Sequence, residues 1–374
     1  MKIAIDAREL QGKPTGVGRL LGKLLEEWSR MPAAQAHEFI QLAPADQRSR
    51  GGTLWEQLVL PRVARHAAAD VLFAPAYSGP VFSSIPMVVA IHDVSFAAHP
   101  EWFTWREGLR RRTTARLAAR AADRVVTISE FSKREIVAHL GVEPSKIAVA
   151  YPGVTPFTGP KGANTQGSPH TCTVLFVGSI FNRRHVPELI EGFAIVARSR
   201  PEMQLELVGD NRTTPRINLD ALVQATGIAD RIHLRSYVAD HELPQLYADA
   251  SAFVFLSEYE GFGLTPLEAI ASGLPLVLLD TPVAREVCAD AAIYVPRPDA
   301  ALIADALRTV LFEPGKRDRM LQAATEVLRR YSWTTFAEQV LSLLTDAGSR
   351  GAKGSAPRRL DDEPAVRDST RRSR

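Results

Sequence analysis

Short apolar runs alternate with longer stretches of helical periodicity along most of this chain. Runs of four to six apolar residues, bounded by polar or glycine-containing turns, predict buried strands, and the stretches between them predict helices. Such alternation is typical of βαβ units and of parallel sheets covered by helices. The predicted strands are residues 3–6, 38–42, 71–74, 87–91, 124–128 and 146–149, and then 173–177, 204–208, 231–234, 252–256, 275–279 and 292–295. The main predicted helices are 17–30, 54–66, 102–121, 129–140 and 333–344.

The two series of strands are separated by a segment rich in Gly, Pro, Ser and Thr, residues 155–170, which has the composition of a linker. We therefore predict two Rossmann-like α/β domains, 1–154 and 171–347, whose parallel sheets face each other across a cleft. Residues 348–374 combine small residues, Pro and an excess of basic over acidic side chains, which predicts a disordered basic tail.

Composition narrows the class of protein. Hydrophobic residues make up 45% and charged residues 23%, which is ordinary for a globular protein, and the formal net charge of +3 is too small to argue for a nucleic-acid partner. The two cysteines, Cys172 and Cys288, are far apart in sequence and indicate neither a disulfide framework nor a cysteine metal site. The first six residues predict a strand rather than a signal peptide, and no apolar run approaches the length of a membrane span. The expected compartment is the cytoplasm.

The most informative segment is 257–273, which places Glu260 and Glu268 on either side of a glycine-rich loop. Thr265 is predicted to cap the following helix, with Pro266 at its first helical position and Gly273 at its exit. A strand, a glycine-rich turn and a helix N-terminus form a ready anion site. Flanking carboxylates accept hydrogen bonds from hydroxyls, so the pattern suits a hexose, a diphosphate and a ribose in a row. Two alternatives stay open: Glu268 is the acidic member of a capping box with Thr265, and Glu260 is a solvated loop acid.

Other chemistry-bearing residues follow predicted strands, where ligands of open parallel sheets bind. They are Gly16 and Gly18 after the first strand, His92 after 87–91, and Gly178 with Arg183 and Arg184 after 173–177. The glycine pair is also explained by turn chemistry alone, and His92 by a structural role at a strand end.

The segment from Glu260 to Ala269 resembles the E-x7-E signature of the retaining glycosyltransferases of family 4, which have the GT-B fold. Residues 127–133 and 240–247 resemble two further motifs of that family, and the likeness extends from the N-terminus to about residue 347. It implies that Glu260 contacts hydroxyls of the donor sugar, that Glu268 binds the ribose, and that His92, beside the donor sugar, orients it and steadies positive charge. It also implies that the diphosphate is held by Arg183, Arg184, Gly178 and the amides of Gly261, Phe262, Gly263, Leu264 and Thr265, with Gly16 and Gly18 facing the catalytic centre.

The chain departs from the family after residue 178. Arg184 stands where the family has a lysine that reaches the diphosphate, and His185 replaces an asparagine. A guanidinium binds phosphate well but presents a planar fork instead of a point charge.

The resulting expectation is a GT-B enzyme that transfers a hexose from a nucleoside diphosphate sugar to a saccharide or lipid-linked acceptor, with retention. The resemblance is strongest to transferases of bacterial surface-polysaccharide assembly, and GDP-mannose is the leading donor. No cofactor is expected, and no metal site, because D-x-D and ligand-spaced histidines are lacking in the sequence. The alternatives are another GT-B enzyme, a phosphorylase or nucleotide-sugar epimerase, and a catalytically silent sugar-nucleotide-binding module.

A run of arginines from Arg110 to Arg124, preceded by Trp102, Phe103 and Trp105, allows two interpretations. It is either a solvated helix face or a patch for peripheral contact with an anionic membrane.

Overall fold

A computed structural model describes residues 1–12, 16–44, 52–158 and 172–354, the last four by their backbone alone. Two six-stranded sheets organise the described residues, and every strand pairing within them is parallel. The first sheet has the order β2-β1-β3-β4-β5-β6 and consists of β1 Lys2–Asp6, β2 Glu38–Leu42, β3 Val71–Ala74, β4 Met87–Ala90, β5 Arg124–Thr127 and β6 Ile147–Val149. The second has the order β12-β11-β10-β7-β8-β9 and consists of β7 Cys172–Val177, β8 Met203–Val208, β9 Ile232–Arg235, β10 Ala252–Phe255, β11 Leu276–Leu279 and β12 Ala292–Val295.

Helices cover both faces of each sheet. The first domain contains α1 Gly16–Arg30, α2 Leu60–His66, α3 Ser95–Ala98, α4 Trp105–Ala121 and α5 Glu130–Leu140. The later helices are α6 Val186–Ala197, α7 Leu219–Ala225, α8 Leu243–Asp249, α9 Leu264–Ala271, α10 Pro282–Cys288, α11 Ala300–Phe312, α12 Lys316–Leu328 and α13 Trp333–Gly354. A single π-helical turn, Trp55–Val59, leads into α2.

The twelve predicted strands are all present, with bounds within one residue of the prediction. Their central residues are apolar and fully buried on both faces of the sheets, as in β3, β4, β10 and β11. A strand that is buried on both faces appears in the sequence as a continuous apolar run, which is why the apolar runs located these strands.

The last helix corrects two predicted boundaries. Helix α13 was placed in the second domain, but Phe336, Val340 and Leu344 pack into the core of the first sheet together with α1. The prediction of a disordered tail is wrong for residues 348–354, because α13 continues to Gly354. Gly348 allows close packing, since a Cβ at this position would lie 2.9 Å from the sulfur of Met1. Residues 355–374 lie outside the described part of the chain.

The predicted linker is described only in part, since residues 159–170 lie outside the described ranges. Its first residues pack on both sides of the cleft. The backbone N–H of Phe157 donates to Ser272 Oγ at 3.0 Å, and the indole N–H of Trp333 donates to Thr155 Oγ1 at 3.0 Å.

Candidate active site

Two adjoining cavities, of about 670 and 620 Å³, lie where the carboxyl ends of strands from both sheets meet. His92 and Glu260 line the first cavity, while Gly18 and Glu268 line the second. Gly16 and the first residues of α9, Leu264 and Thr265, line both cavities. The start of α9 therefore stands between the two carboxylates of the E-x7-E segment.

Helix α9 begins two positions earlier than predicted. Its first residue is Leu264, and its N-cap is Gly263, whose φ of +107° is a left-handed conformation that favours glycine. Thr265 is therefore inside the helix, and it does not cap it. Gly273, with a φ of +81°, follows the end of the helix as predicted. Because Thr265 is not the N-cap, the capping-box interpretation of Glu268 is wrong.

No side chain caps α9, and its first turn carries no acidic residue. A helix start without a capping side chain leaves backbone N–H groups for another acceptor. At α9 those groups lie at the wall shared by the two cavities, so an anion bound there would meet both the N–H groups and the positive end of the helix dipole.

Glu268 is partly buried in the second cavity. Burial raises the pKa of its carboxyl to about 7, and Arg19, the nearest charge acting on it, only partly offsets this effect. Within the described residues no hydrogen bond or ion pair to the Glu268 carboxylate is formed. A carboxylate held in a cavity without a protein donor is suited to accept hydrogen bonds from ligand hydroxyls.

Glu260, which lines the first cavity, forms an ion pair with Arg184, which lines neither cavity. The Nη2 of Arg184 lies 2.8 Å from Glu260 Oε1, and the hydroxyl of Ser257 donates to the same oxygen at 2.8 Å. Arg184 Nη1 also donates to the Ser179 carbonyl at 2.9 Å. Gly178 makes room for this arrangement, since a Cβ there would lie 2.7 Å from Arg184 Nη1.

Arg183 points to a different environment from Arg184. Its guanidinium stacks over the rings of Phe181 and, across the domain boundary, Trp102, at 4.3 and 5.1 Å from their centroids. Burial lowers its pKa, and its buried Nε has no hydrogen-bond partner in the described structure. Arg184 thus forms hydrogen bonds with Glu260, whereas Arg183 packs against aromatic rings.

His92 is buried at the end of β4 and lines the first cavity. Its Nε2 lies 2.8 Å from the Pro75 carbonyl, so Nε2 carries the proton, and Nδ1 is an acceptor without a partner among the described residues. Burial lowers the pKa of the ring. His92 is consequently a neutral imidazole at neutral pH, and the expectation that it steadies positive charge holds only through its lone pair and dipole.

The two domains touch directly beside the cavities. Ser129 and Ser132, at the start of α5, donate from their hydroxyls to the Gly261 carbonyl at 2.6 and 2.9 Å. Ser132 also donates to the His92 carbonyl at 2.8 Å. The backbone at position 261 lies so close to the first domain that only glycine fits, because a Cβ there would overlap the His92 carbonyl oxygen. Glu260 and His92 are therefore held on opposite walls of one cavity.

A second contact between the domains involves Glu286 on α10. Its carboxylate accepts hydrogen bonds from the backbone N–H groups of Glu130 and Phe131, at 2.7 and 2.8 Å, and from the Tyr151 hydroxyl at 3.1 Å. Glu130 and Phe131 are the first two residues of α5. A carboxylate of the second domain therefore accepts hydrogen bonds from backbone N–H groups at the start of a first-domain helix.

Of three acidic residues around the site, Glu9 and Glu286 were not singled out from the sequence, whereas Asp93 is marked there by its place beside His92. Glu9, which follows β1, lines both cavities. Asp93 accepts from the Tyr77 hydroxyl at 2.8 Å and from the Ser95 hydroxyl at 2.7 Å, so its carboxylate is engaged within the first domain. Glu286 carries no local motif. Only the position of Glu9 and Asp93 just beyond strand ends gave a signal for them.

Within the described ranges, no group of three or more His, Cys, Asp or Glu side chains is placed to share a metal ion. None of the described helices is both long and apolar enough to cross a bilayer.

Comparison with known proteins agrees with this architecture. Residues 22–156 match the model described as Glycosyltransferase Family 4, and residues 167–327 match Glycosyl transferases group 1. Among solved structures, Anabaena HepE in complex with UDP and glucose superposes with a TM-score of 0.69 at 20% identity, over 92% of this chain and 100% of that one. Sucrose-phosphate synthase of Thermosynechococcus elongatus gives a TM-score of 0.72 at 18% identity, over 94% and 100%. These similarities establish the GT-B fold.

Curated relatives match over shorter lengths. Mannosylfructose-phosphate synthase of Agrobacterium fabrum is 33% identical over 46% of this chain and 40% of its own length. D-inositol 3-phosphate glycosyltransferase of Streptomyces avermitilis is 29% identical over 70% of this chain and 60% of its own length. The matched regions thus span less than two thirds of either relative. The two family models together cover both domains, and on that basis the chain belongs to the group 1, or family 4, glycosyltransferases.

Proposed function

We propose that this protein is a retaining glycosyltransferase that moves a hexose from a nucleoside diphosphate sugar to a saccharide or lipid-linked saccharide. The observation that carries the proposal is the position of the uncapped start of α9 between two cavities, one containing Glu260 and the other Glu268. A diphosphate at the helix start would place a sugar in the first cavity and a ribose in the second. Both carboxylates would then accept from hydroxyls.

Arg184 has two tasks in this proposal. Before the donor binds, its charge is neutralised by Glu260 at 2.8 Å. A bound diphosphate competes with Glu260 for the guanidinium. The diphosphate carries more negative charge than a carboxylate, and two of its oxygens can accept parallel hydrogen bonds from the guanidinium. Releasing Glu260 frees an acceptor for a sugar hydroxyl, and Arg184 then meets the negative charge that grows on the leaving phosphate.

The Nδ1 of His92 is buried and unpartnered, and in this scheme it accepts a hydrogen bond from a donor-sugar hydroxyl once donor binding makes the atom accessible. The neutral ring is suited to this task because a protonated ring would have no acceptor. The bond from Nε2 to the Pro75 carbonyl fixes the ring orientation. His92 therefore orients the sugar and does not exchange a proton with it.

The acid beside His92, Asp93, is not available as a nucleophile, which favours retention without a covalent sugar–enzyme intermediate. Retaining glycosidases use a carboxylate that attacks the anomeric carbon, but the first-domain candidate Asp93 is engaged by Tyr77 and Ser95. We propose attack on the same face instead. The acceptor oxygen bonds to the anomeric carbon, the bond to the phosphate oxygen breaks, and the leaving phosphate takes the acceptor proton. The Arg184 guanidinium and the α9 amides serve the role that a metal would otherwise fill.

GDP-mannose is the leading donor, supported by the mannosyl product in the name of the Agrobacterium relative. UDP-glucose is the competitor, since HepE was crystallised with it. The expected site of action is the cytoplasm, and surface-polysaccharide assembly is the expected process.

The test begins with a thermal-shift panel of GDP, UDP, ADP and dTDP. The cognate nucleotide, at about 100 times its dissociation constant, should raise stability by ~2.7 kcal/mol. The parent is then incubated with the matching nucleotide sugars, with and without EDTA, and free nucleoside diphosphate is measured. Glu260→Gln serves as a control that keeps the shape of the side chain and removes its charge.

Stabilisation by a nucleotide without turnover of any sugar would favour the silent binding module. Turnover that needs inorganic phosphate would favour a phosphorylase, and conversion without release of nucleotide would favour an epimerase. Activity lost in EDTA and restored by Mg²⁺ would overturn the metal-free mechanism.

A further inference from the structure

Large apolar side chains are exposed on one part of the molecule. Of those exposed in the described ranges, all but Tyr237 lie between residues 54 and 117. Phe82 is 87% exposed, and Leu54 and Trp105 are each 72% exposed. We call this surface the basic apolar face, and its apolar members are Leu54, Leu58, Val59, Val63, Phe82, Trp105, Leu109 and Leu117.

The members of this face come from elements that cover the same side of the first sheet. Helix α2 buries Leu60 and Ala64, and α4 buries Ala115 and Ala118, in one shared core. Helices α1 and α13 cover the opposite side of the sheet. The loop that carries Phe82 is fastened to the π-helical turn, because Gln57 donates to the Gly79 carbonyl and accepts from the Val81 N–H, both at 2.9 Å. The outer surfaces of these elements therefore turn away from the sheet together.

The same elements are strongly basic. Between Trp55 and His66, and along α4, the chain carries only two acids, Glu56 and Glu107. Both are already paired, Glu56 with Arg8 and Glu107 with Arg111, each at 2.7 Å. The arginines of the same elements are Arg62, Arg65, Arg106, Arg110, Arg111, Arg112, Arg116 and Arg120. Exposed apolar side chains thus stand among positive charges that local acids do not cancel.

We propose that the basic apolar face docks on an anionic membrane surface. Leu, Phe and Trp side chains enter the boundary between headgroups and acyl chains, while arginines bury their stems and keep their charge at the lipid phosphates. A second copy of the chain is a poorer occupant. A two-fold interface would bring the same arginines against each other, and like charges in contact are unfavourable.

The face also borders the catalytic cleft. Arg110, Arg111 and Thr114 of α4 line the 670 Å³ cavity, as do Tyr77 and Ser78 from the loop that carries Phe82. A membrane bound at this face would present a lipid-linked acceptor to the first-domain wall of the cavity. That consequence rests on the proposed function, but the membrane contact itself does not.

The test is co-sedimentation of the full chain with vesicles of phosphatidylcholine alone and of phosphatidylcholine with 30% phosphatidylglycerol, at low and at physiological salt. We expect binding to the anionic vesicles that weakens as salt rises. Each basic residue near an anionic surface contributes about fivefold to binding, so Arg106→Glu with Arg116→Glu should reduce binding by at least about tenfold. Replacing the apolar side chains Leu54, Phe82 and Trp105 by Ser should also abolish most of it.

Two controls match these variants. Arg198→Glu with Arg319→Glu makes the same change in net charge on the second domain, where both side chains are exposed, and should leave vesicle binding within about twofold. Tyr237→Ser removes the exposed aromatic ring outside the face and should also bind like the parent. A cooperative thermal unfolding transition like that of the parent shows that each variant is folded.

Several results would overturn the proposal. One is an equal loss of vesicle binding in the two arginine double variants, which would show only an effect of net charge. Another is that the parent does not bind anionic vesicles. A third is dimerisation of the parent in light scattering that the Leu54, Phe82 and Trp105 variant abolishes. Vesicle binding by a protein that turns over no sugar nucleotide would leave the membrane contact standing and remove only the proposed function.

Discussion

Two helix starts meet at the boundary between the domains, and they differ in how their backbone N–H groups are satisfied. At α5, Ser129 accepts from the Ser132 N–H at 2.9 Å, and the Glu286 carboxylate accepts from Glu130 and Phe131. At α9 the cap is Gly263, and neither a capping side chain nor a first-turn acid is present. The two starts are linked by the hydrogen bond from Ser129 to the Gly261 carbonyl.

The difference separates a structural helix start from a binding one. At α5 the protein supplies the anion, so the N–H groups and dipole of that helix stabilise the contact between domains. At α9 the protein supplies none, and the same physical chemistry remains for a ligand. A helix start thus indicates function only when it is known which residues from elsewhere in the fold accept hydrogen bonds from its backbone N–H groups.

The largest expected effect comes from removing the cation that supports the α9 site. Arg184→Ala should reduce turnover by ~10²–10³-fold, because the growing charge on the leaving phosphate loses its partner. Initial rates at saturating donor measure this, with thermal unfolding to confirm the fold. Arg184→Lys should restore much of the activity, since the family commonly has lysine there. Near-normal turnover in Arg184→Ala would assign the role to the α9 amides or to Arg183.

Removing the anion from the α5 start should destabilise the contact between the domains. Glu286→Ala loses three hydrogen bonds to a charged acceptor, two from backbone N–H groups of α5 and one from the Tyr151 hydroxyl. Each contributes about 1.5–3 kcal/mol when buried, and exposure of part of the site to water reduces the total to about 2–3 kcal/mol. Chemical denaturation at pH 7 measures the loss. Glu326→Ala, whose acid pairs with Arg329 on an exposed surface, is the matched control and should change stability by less than about 1 kcal/mol. If Glu286→Ala is as stable as the control, water satisfies the α5 N–H groups equally well and the contrast between the helices fails.

The strands and most of the candidate site follow from local sequence, whereas the pairings across the molecule do not. Buried parallel strands are continuous apolar runs, and motif residues such as His92 and Gly178 sit at strand ends, where position alone suggests function. The Arg184–Glu260 pair joins residues 76 positions apart, and Glu286 reaches α5 from another domain. The start of α9 was misplaced because Thr265 and Pro266 are good first-turn residues, while the φ of Gly263 is set by the fold.

Glu268 should make stability depend on pH in a direction opposite to that of an ordinary ion-paired acid. Its pKa rises from 4.5 to about 7 on folding, so the folded protein holds a proton that the unfolded chain releases. Stability is therefore lost as pH rises from about 4.5 to 7. Glu268→Gln should remove this loss and stabilise the ligand-free protein at pH 8 by roughly 1–3 kcal/mol, after allowance for the partial exposure of the side chain.

The same variant tests the role in binding. The parent should bind its nucleotide more tightly as pH rises through about 7, because the ionised carboxylate is the better acceptor. Calorimetric titrations from pH 6 to 8 should show this trend in the parent and none in Glu268→Gln. A parent profile that is flat for both stability and affinity would mean that Glu268 is ionised throughout and that its burial has little effect.

The smallest expected change in stability comes from giving α9 the anion that α5 already has. Thr265→Asp places a carboxylate in the first turn of α9, where it should interact favourably with the helix dipole and stabilise the ligand-free protein by about 0.3–1 kcal/mol. The same charge would occupy the position proposed for the diphosphate, so nucleotide affinity should fall, while Thr265→Asn, similar in shape but uncharged, should lose much less. Thermal unfolding and nucleotide titration on the two variants separate these effects. Equal affinity in Asp and Asn variants would show that the diphosphate does not bind at the α9 start, and the cavities flanking it would then need a different occupant.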